Sequence, residues 1–466
     1  MYRSLLLTTM ISAMPFCAMA SATAAPPHSP GVPYAAGVLP DRVVLTPGAD
    51  PATEMGVAFR TAIDQPTAEL QYGPAIAGPN VVARVERLSG SSHRLDTENG
   101  SALYHQVRLE GLTPDTPYAY RVKGSAGWSE WHQFRTAKAT AAPFAFIYLG
   151  DTQNDILAVG SRTIRQALQS IARPALMVHA GDLVSQRDDL VHDDEWGEWN
   201  QAGGFALSAI PQLTAAGNHE YVDHFLPNGE ETRLLGPHYP LQFTTPPNGV
   251  EGLGDTTYFT DYQGVRFIVL DGTSAIDLGS MDAQTAWLEQ TLQSSNARWN
   301  VVVMHQPIYT CARPEDTTEL KEAWQPLFDQ YRVDLVLQGH DHCYSRLTDE
   351  SGRKASSKAR QADEAVGPVY MVSVTGSKMY GLNDRAQRQP DRVAEDTQLY
   401  QTVEVETDRL KVRAYAVNGV LYDAFDIVRT EDGRNRLHEI EGDTFDERVC
   451  RGESGPDGLP CTARGK

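Results

Sequence analysis

The sequence is poor in cations. It holds 40 lysines and arginines against 60 aspartates and glutamates, a formal net charge of −20. That balance argues against a nucleic-acid coat protein, which needs clustered positive charge to neutralise phosphates. It favours solubility and repels anions at long range, so any phosphate chemistry requires strong local positive charge. Long apolar runs are also lacking. Past the first two dozen residues, no stretch reaches the ~20 apolar residues of a membrane-spanning helix. The mature chain is therefore expected to carry no integral membrane segment. No internal repeat is present. Cysteine is scarce, with five in 466 residues.

What is present begins with an export signal. Arg3 precedes the apolar run "SLLLTTMISAMPFCAMA", and "AMASATAA" offers small-residue cleavage points. The expectation is a signal peptide over residues 1–24 and a periplasmic or secreted protein. Loss of Cys17 with the signal leaves Cys311, Cys343, Cys450 and Cys461. An even number in an oxidising compartment points to two disulfides. Three pairings are open, as are free buried thiols. The simplest pairing joins Cys450 to Cys461 around "CRGESGPDGLPC", and Cys311 to Cys343.

A chain of this length, 41% hydrophobic, holds two domains with separate cores. Residues 25–40 are Pro/Gly-rich and read as a linker. Residues 41–138 hold seven short alternating segments, from "RVVLT" to "WHQFRT", separated by turn residues. They predict an all-β sandwich. "LTPDTPYAYRV" resembles fibronectin type III-like domains, with Tyr118 or Tyr120 at a strand corner. Over residues 143–430 the pattern becomes α/β. "PFAFIYLGD", "ALMVHAGD", "QLTAAGNH", "NVVVMH" and "VDLVLQGH" are near-continuous apolar runs, typical of strands buried on both faces. "SRTIRQALQSIA", "DAQTAWLEQTLQSS" and "ELKEAWQPLFDQY" carry helical spacing, the last with Pro326 inside. Residues 431–466 read as a tail.

The chemistry lies where those apolar runs end. Each closes on Asp, Asn or His: Asp151, Asp182, Asn218, His305 and His340, with His342 two residues on. Ligands in α/β folds bind beyond the carboxyl ends of strands. Singly these signals are weak, since an Asp after Gly commonly serves a turn. Six metal-competent side chains in one order are a different matter, and the set points to a metal centre. His179, inside a strand, reads as a core histidine.

The set resembles the calcineurin-like metallophosphoesterases, and within them the purple acid phosphatases, whose motifs are GD-x-G, GD-x-x-Y, GNH-[DE], V-x-x-H and GH-x-H. Here stand "GDTQ" (Gly150 to Gln153), "GDLVS" (Gly181 to Ser185), "GNHE" (Gly217 to Glu220), "VVMH" (Val302 to His305) and "GHDH" (Gly339 to His342). The resemblance covers about residues 41 to 428. It implies a four-layer α/β/β/α catalytic domain behind the sandwich. It also implies two metal ions, of Mn, Zn, Fe or Mg, with Asp182 bridging. Asp151 and His342 would complete one site, and Asn218, His305 and His340 the other. A metal-bound hydroxide would attack phosphorus, and His219 would protonate the leaving oxygen or bind phosphate. Glu220 is expected to orient His219 or to serve a helix start or loop salt bridge. Tyr344 and Arg346 fit the family's G-H-x-H-x-Y-x-R extension and would support the site.

Three departures matter. The tyrosine whose charge transfer to iron colours the family falls at Ser185, so no purple colour is expected. Gln153 takes the place of a ligand histidine in other calcineurin-like enzymes. As an amide-oxygen ligand it would favour Mn, Mg or Zn over iron; the alternative is a supporting hydrogen bond. "QPIYTCARPEDTTE" replaces a histidine-bearing segment, and Arg313 in it is a candidate phosphate contact or a loop salt bridge. A Cys311–Cys343 disulfide would tie two loops of the metal rim. The basic loop Gly352 to Gln361 reads as a solvated loop or as a steering patch for anionic substrates. "VHDDEWGEW" would line a substrate wall or pack. The implied function is an exported binuclear phosphatase acting on a small phosphomonoester. A phosphodiesterase and a non-catalytic binding protein on the same fold are the alternatives.

Overall fold

The computed structural model describes residues 34–185, 189–348, 365–386, 390–440, 444, 446–450 and 452–461. The expected signal peptide, Cys17, most of the linker and the basic loop Gly352 to Gln361 lie outside them. No helix among the described residues is long and apolar enough to cross a membrane.

The N-terminal domain is all β. Asp41–Pro47, Met55–Ala62, Gly100–Leu109, Glu86–Thr97, Ala68–Pro74 and Pro117–Gly124 lie side by side in that order, and His132–Arg135 pairs with Pro117–Gly124. Glu86–Thr97 serves two partners. Its first half pairs with Ala68–Pro74 and its second with Gly100–Leu109. The sheet so folds over a core of Leu45, Val57, Phe59, Leu70, Val107 and Tyr120. The sequence places a strand at "VVARVERL"; there Val82 makes only an isolated bridge to Ala75, and the continuous strand runs from Glu86 to Thr97. That stretch is largely exposed, so it carries no apolar alternation to read. Between the two corner tyrosines the structure divides the roles. The Tyr118 hydroxyl accepts from the Thr113 amide at 2.9 Å, while the Tyr120 hydroxyl donates across the domain boundary to the Ser208 carbonyl at 2.7 Å.

Two seven-stranded sheets make the second domain. Gln212–Thr214, Leu176–His179 and Phe144–Leu149 run parallel in the first, extended by Leu399–Val405, Arg409–Ala416, Leu421–Arg429 and Asn435–Glu439. Val265–Val269, Trp299–Val303, Leu335–Gln338 and Val369–Val372 run parallel in the second. Side chains alternate across each strand, and the cores follow. Phe146 and Tyr148 face inward with Phe267, Val301, Val303 and Leu335, forming the layer between the sheets. Ile147 and Leu149 face outward onto Ile164, Trp196 and Trp199 of the covering helices. On the far side, Val302 and Val336 meet Leu320, Trp324 and Phe328 of the helix Thr318–Gln330. Helix, sheet, sheet and helix give the four layers.

Two boundaries differ from expectation. Asn435–Glu439, in the expected tail, is an edge strand of the first sheet, and Asn435 donates to the buried Asp334 at 2.7 Å. "DDEWGEW" begins the helix Asp194–Gly203, whose Trp196 and Trp199 are buried. The tryptophans therefore pack and line no open wall.

Candidate metal centre

Five strand ends converge on one rim. Asp151 follows Phe144–Leu149, Asp182 follows Leu176–His179, Asn218 follows Gln212–Thr214, His305 follows Trp299–Val303, and His340 and His342 follow Leu335–Gln338. One atom each from Asp182, His305 and His340 lies within 4.8 Å of the others, and the same holds for Asp151, Asp182 and His342. Asp182 belongs to both groups. Asn218 joins the first through its Oδ1, 3.2 Å from His305 Nε2.

The proton positions show why this set suits cations. His342 Nδ1 lies 2.9 Å from the Lys378 carbonyl and His305 Nδ1 lies 2.7 Å from that of Ala180. A carbonyl only accepts, so both Nδ1 atoms donate, and each ring, when neutral, turns a bare Nε2 lone pair inward. His305 Nε2 then faces Asp182 Oδ2 at 3.2 Å, and His342 Nε2 faces Asp151 Oδ2 at 3.3 Å. Acceptors face acceptors, an arrangement that a cation between them satisfies. Asp151 Oδ2 and Gln153 Oε1 are buried without a hydrogen-bond donor.

Electrostatics agree. Burial pushes Asp151 up, and with Asp182 nearby it reaches about 7 despite the pull of His305. Burial also raises Asp182, but His305, His219 and His340 outweigh it and hold that carboxyl well below the usual range. Burial would lower His305, yet Asp182 and Asp151 draw it up to about 9. Burial and the Lys378 charge push His342 down to about 3. Burial drives His340 down as well, with help from His305 and Arg313. Burial thus keeps His340 and His342 neutral for ligation, while the two carboxylates draw positive charge to His305, the charge a cation between them would supply.

Local backbone shapes bring the ligands round. In an extended segment His340 and His342 would point to opposite faces. Both instead take positive φ, 74° and 48°, as does Asp182 at 50°, so the chain turns at each ligand. Glycine is required where loops touch: a Cβ on Gly217 would lie 2.2 Å from Asp182 Oδ1, and one on Gly339 2.2 Å from Asp151 Oδ1.

Glu220 holds these turns. Its buried carboxylate accepts from the amides of Gly217 at 2.6 Å, Leu183 at 2.8 Å and Asp182 at 2.9 Å. It therefore joins two ligand loops by their backbones. The ring of His219 is oriented by another group, because its Nδ1 lies 2.8 Å from the Ser185 carbonyl. The His219 amide donates to Asp182 Oδ1 at 2.9 Å. Ser185, at the family's tyrosine position, donates its hydroxyl and amide to Glu195.

The "CAR" loop is fastened to "GHDH" three ways. Cys311 and Cys343 form a buried disulfide. Asp341 accepts from the amides of Cys311 at 2.6 Å and Ala312 at 2.8 Å. Arg313 pairs with Asp341 and donates to the His340 carbonyl at 2.9 Å. Arg313 thus braces the ligand loop. The second disulfide joins Cys450 to Cys461. Tyr344 and Arg346 both bond Asp423, at 2.7 and 2.8 Å, and so link the two sheets beneath the rim. His179 is buried with Gln212 at 2.8 Å, outside the cluster.

Two neighbours of the centre, Lys378 and Tyr380, belong to no sequence motif, whereas Gln153 does. Gln153 Nε2 reaches Asp182 at 2.8 Å and stands 3.0 Å from His342 Nε2, so the residue is within the cluster. Lys378 and Tyr380, 36 and 38 residues past His342, pack on it: the Tyr380 ring centre is 4.8 Å from that of His342. No motif links those positions, and only the "TGSKMYG" turn after a strand hints at them.

Comparison with known proteins agrees with this geometry. Residues 40–136 match the family described as Purple acid Phosphatase, N-terminal domain, and residues 144–344 match Calcineurin-like phosphoesterase. An uncharacterised protein of Mycobacterium tuberculosis is 29% identical over 329 residues, 64% of this chain and 60% of its own length. Purple acid phosphatase 1 of Ipomoea batatas is 26% identical over 305 residues, 62% of each chain. The chain thus spans about 60% of the length of these relatives. The purple acid phosphatase PPD1 of yellow lupin seeds shares the fold, with a TM-score of 0.66 at 19% identity over 85% of this chain and 75% of its own.

Proposed function

Since the chain belongs to the calcineurin-like phosphoesterases and carries the purple acid phosphatase N-terminal domain, we propose that it is an exported, binuclear metal-dependent phosphatase acting on phosphomonoesters. The observation that supports this reading is the pair of ligand clusters sharing Asp182. Asp151, Asp182, His342 and Gln153 would hold one ion, and Asp182, Asn218, His305 and His340 the other. Mn, Zn, Mg and Fe are the candidates, with iron disfavoured where the tyrosine is replaced. When bound, such a pair neutralises phosphate oxygens and activates water for in-line attack.

The chain's own residues supply the rest. Ala180 and Lys378 carbonyls fix the tautomers of His305 and His342. Glu220 and Asp341 hold the ligand loops in register. His219, aimed by Ser185, would deliver a proton from Nε2 to the departing oxygen. Arg313, committed to Asp341, acts on substrate through the loop it braces.

The test is hydrolysis of a matched aryl phosphate monoester and diester by the folded protein, loaded in turn with Mn, Zn and Fe. Faster monoester cleavage, abolished by a chelator, is expected. Faster diester cleavage would move the assignment to a phosphodiesterase. No cleavage with any metal would leave a binding protein.

A further inference from the structure

A cavity of about 750 Å³ lies beside the metal rim, and nothing in the family match accounts for it. One wall is the turn that carries Lys378. That turn is double-sided. The Lys378 carbonyl and the Tyr380 ring contact His342, while Ser377 and Met379 line the cavity. Ser377 also bonds the Asn154 carbonyl at 3.1 Å, immediately after Gln153, and Val159 and Arg162 of the following turns line the cavity too. The cavity and the metal centre thus share two chain segments.

The opposite wall is the disulfide-closed loop Cys450 to Cys461, which lies beyond the matched residues 40–344. Arg448 holds it in place, donating to Asp457 at 3.0 Å and to the carbonyls of Glu395 and Asp396 at 3.2 Å. Leu459 is thereby kept at the cavity although it is 59% exposed. A closed loop that fixes an exposed leucine against a cleft is a built wall.

The lining sets the ligand class. Asp396, Asp446 and Asp457 outnumber Arg162 and Arg448, so the cleft disfavours further phosphate or carboxylate groups. Val159, Met379, Val417 and Leu459 offer apolar faces, and Thr397, Gln398 and Asn418 offer hydrogen bonds. Cavities of about 300–1,000 Å³ with such mixed linings suit small organic ligands. We infer that this cleft, walled by the C-terminal disulfide loop, binds the organic part of the phosphate ester, an uncharged group of nucleoside size. The inference rests on the phosphoesterase reading above.

The experiment compares adenosine monophosphate with phenyl phosphate as substrates and, separately, titrates the metal-free protein with adenosine. Leu459→Trp fills the cleft from the tail loop, and Val417→Trp fills it from the opposite side. Both are expected to raise the ratio of KM for the nucleotide to KM for phenyl phosphate at least fivefold and to weaken adenosine binding by as much. An unchanged ratio in both variants, with both esters hydrolysed, overturns the inference. If wild-type protein cleaves neither ester, the phosphoesterase reading fails, and the titration alone decides. Adenosine binding weakened by either variant supports the cleft, and no adenosine binding by the wild type overturns it.

Discussion

Asp193 is where the two domains are joined by charge, and its loss should be costly. The carboxylate is fully buried and accepts from Arg42 at 2.5 and 2.7 Å, from Arg60 at 3.2 Å and from Asn99 at 3.2 Å; His238 Nε2 lies 3.1 Å away. Arg42 and Arg60 come from the N-terminal sheet, and Asp193 and His238 from the catalytic domain. Asp193→Asn keeps the shape and removes the charge. Arg60 retains Asp41, at 2.8 Å through two nitrogens. Arg42, with a side chain 3% exposed, loses its counter-ion. Breaking a buried pair from one side costs about 3–5 kcal/mol. At about 2 °C per kcal/mol for a large domain, the thermal midpoint should fall by roughly 6–10 °C. Replacing both partners, as Arg42→Met with Asp193→Leu, should restore much of the loss, because no charge is then stranded. The pH dependence has a definite sign. Burial raises the Asp193 pKa, but His238 and Arg42 hold it well below the ordinary range. Its contribution is therefore complete above an ordinary aspartate pKa of about 4 and fades as pH falls further. The gap between wild type and Asp193→Asn should narrow in acid. A calorimetric shift below about 2 °C at neutral pH, or a gap that widens in acid, would refute the reasoning.

Three further outcomes follow from the metal centre. Glu220→Gln exchanges an all-acceptor group for one that meets backbone amides with its own NH2, so metal affinity should fall about 10–100-fold, read by metal content after dialysis. His219→Ala should lower kcat by about 10²–10⁴-fold while the bound metal per chain stays at the wild-type value; loss of metal would show that the residue is structural. Iron-loaded protein should show no visible charge-transfer band, since Ser185 is hydrogen-bonded to Glu195. A purple product would mean that another group ligates iron.

The ligands were legible because each one directly follows an apolar run, and strand ends mark themselves. What the ligands lean on was hidden. Asp193 sits in "HDDEW", where an acid at a helix start is unremarkable, and its partners lie 133 and 151 residues away. Glu220 was legible as a motif position but not in its role, since its partners are backbone amides, which leave no mark in the sequence. The strand Glu86–Thr97 was legible only in its first three residues, for want of buried side chains beyond them, and Asn435–Glu439 escaped because five residues at a sheet edge show too little alternation.

The alternation of Phe146 and Tyr148 with Ile147 and Leu149 has a consequence for how this chain tolerates change. Each of these side chains has a complementary neighbour in its own layer, so conservative replacements stay local. Removing one residue from the strand is different in kind: it sends every following side chain to the wrong layer and turns the loop that presents Asp151. The catalytic strands should thus accept many substitutions and almost no single-residue deletions.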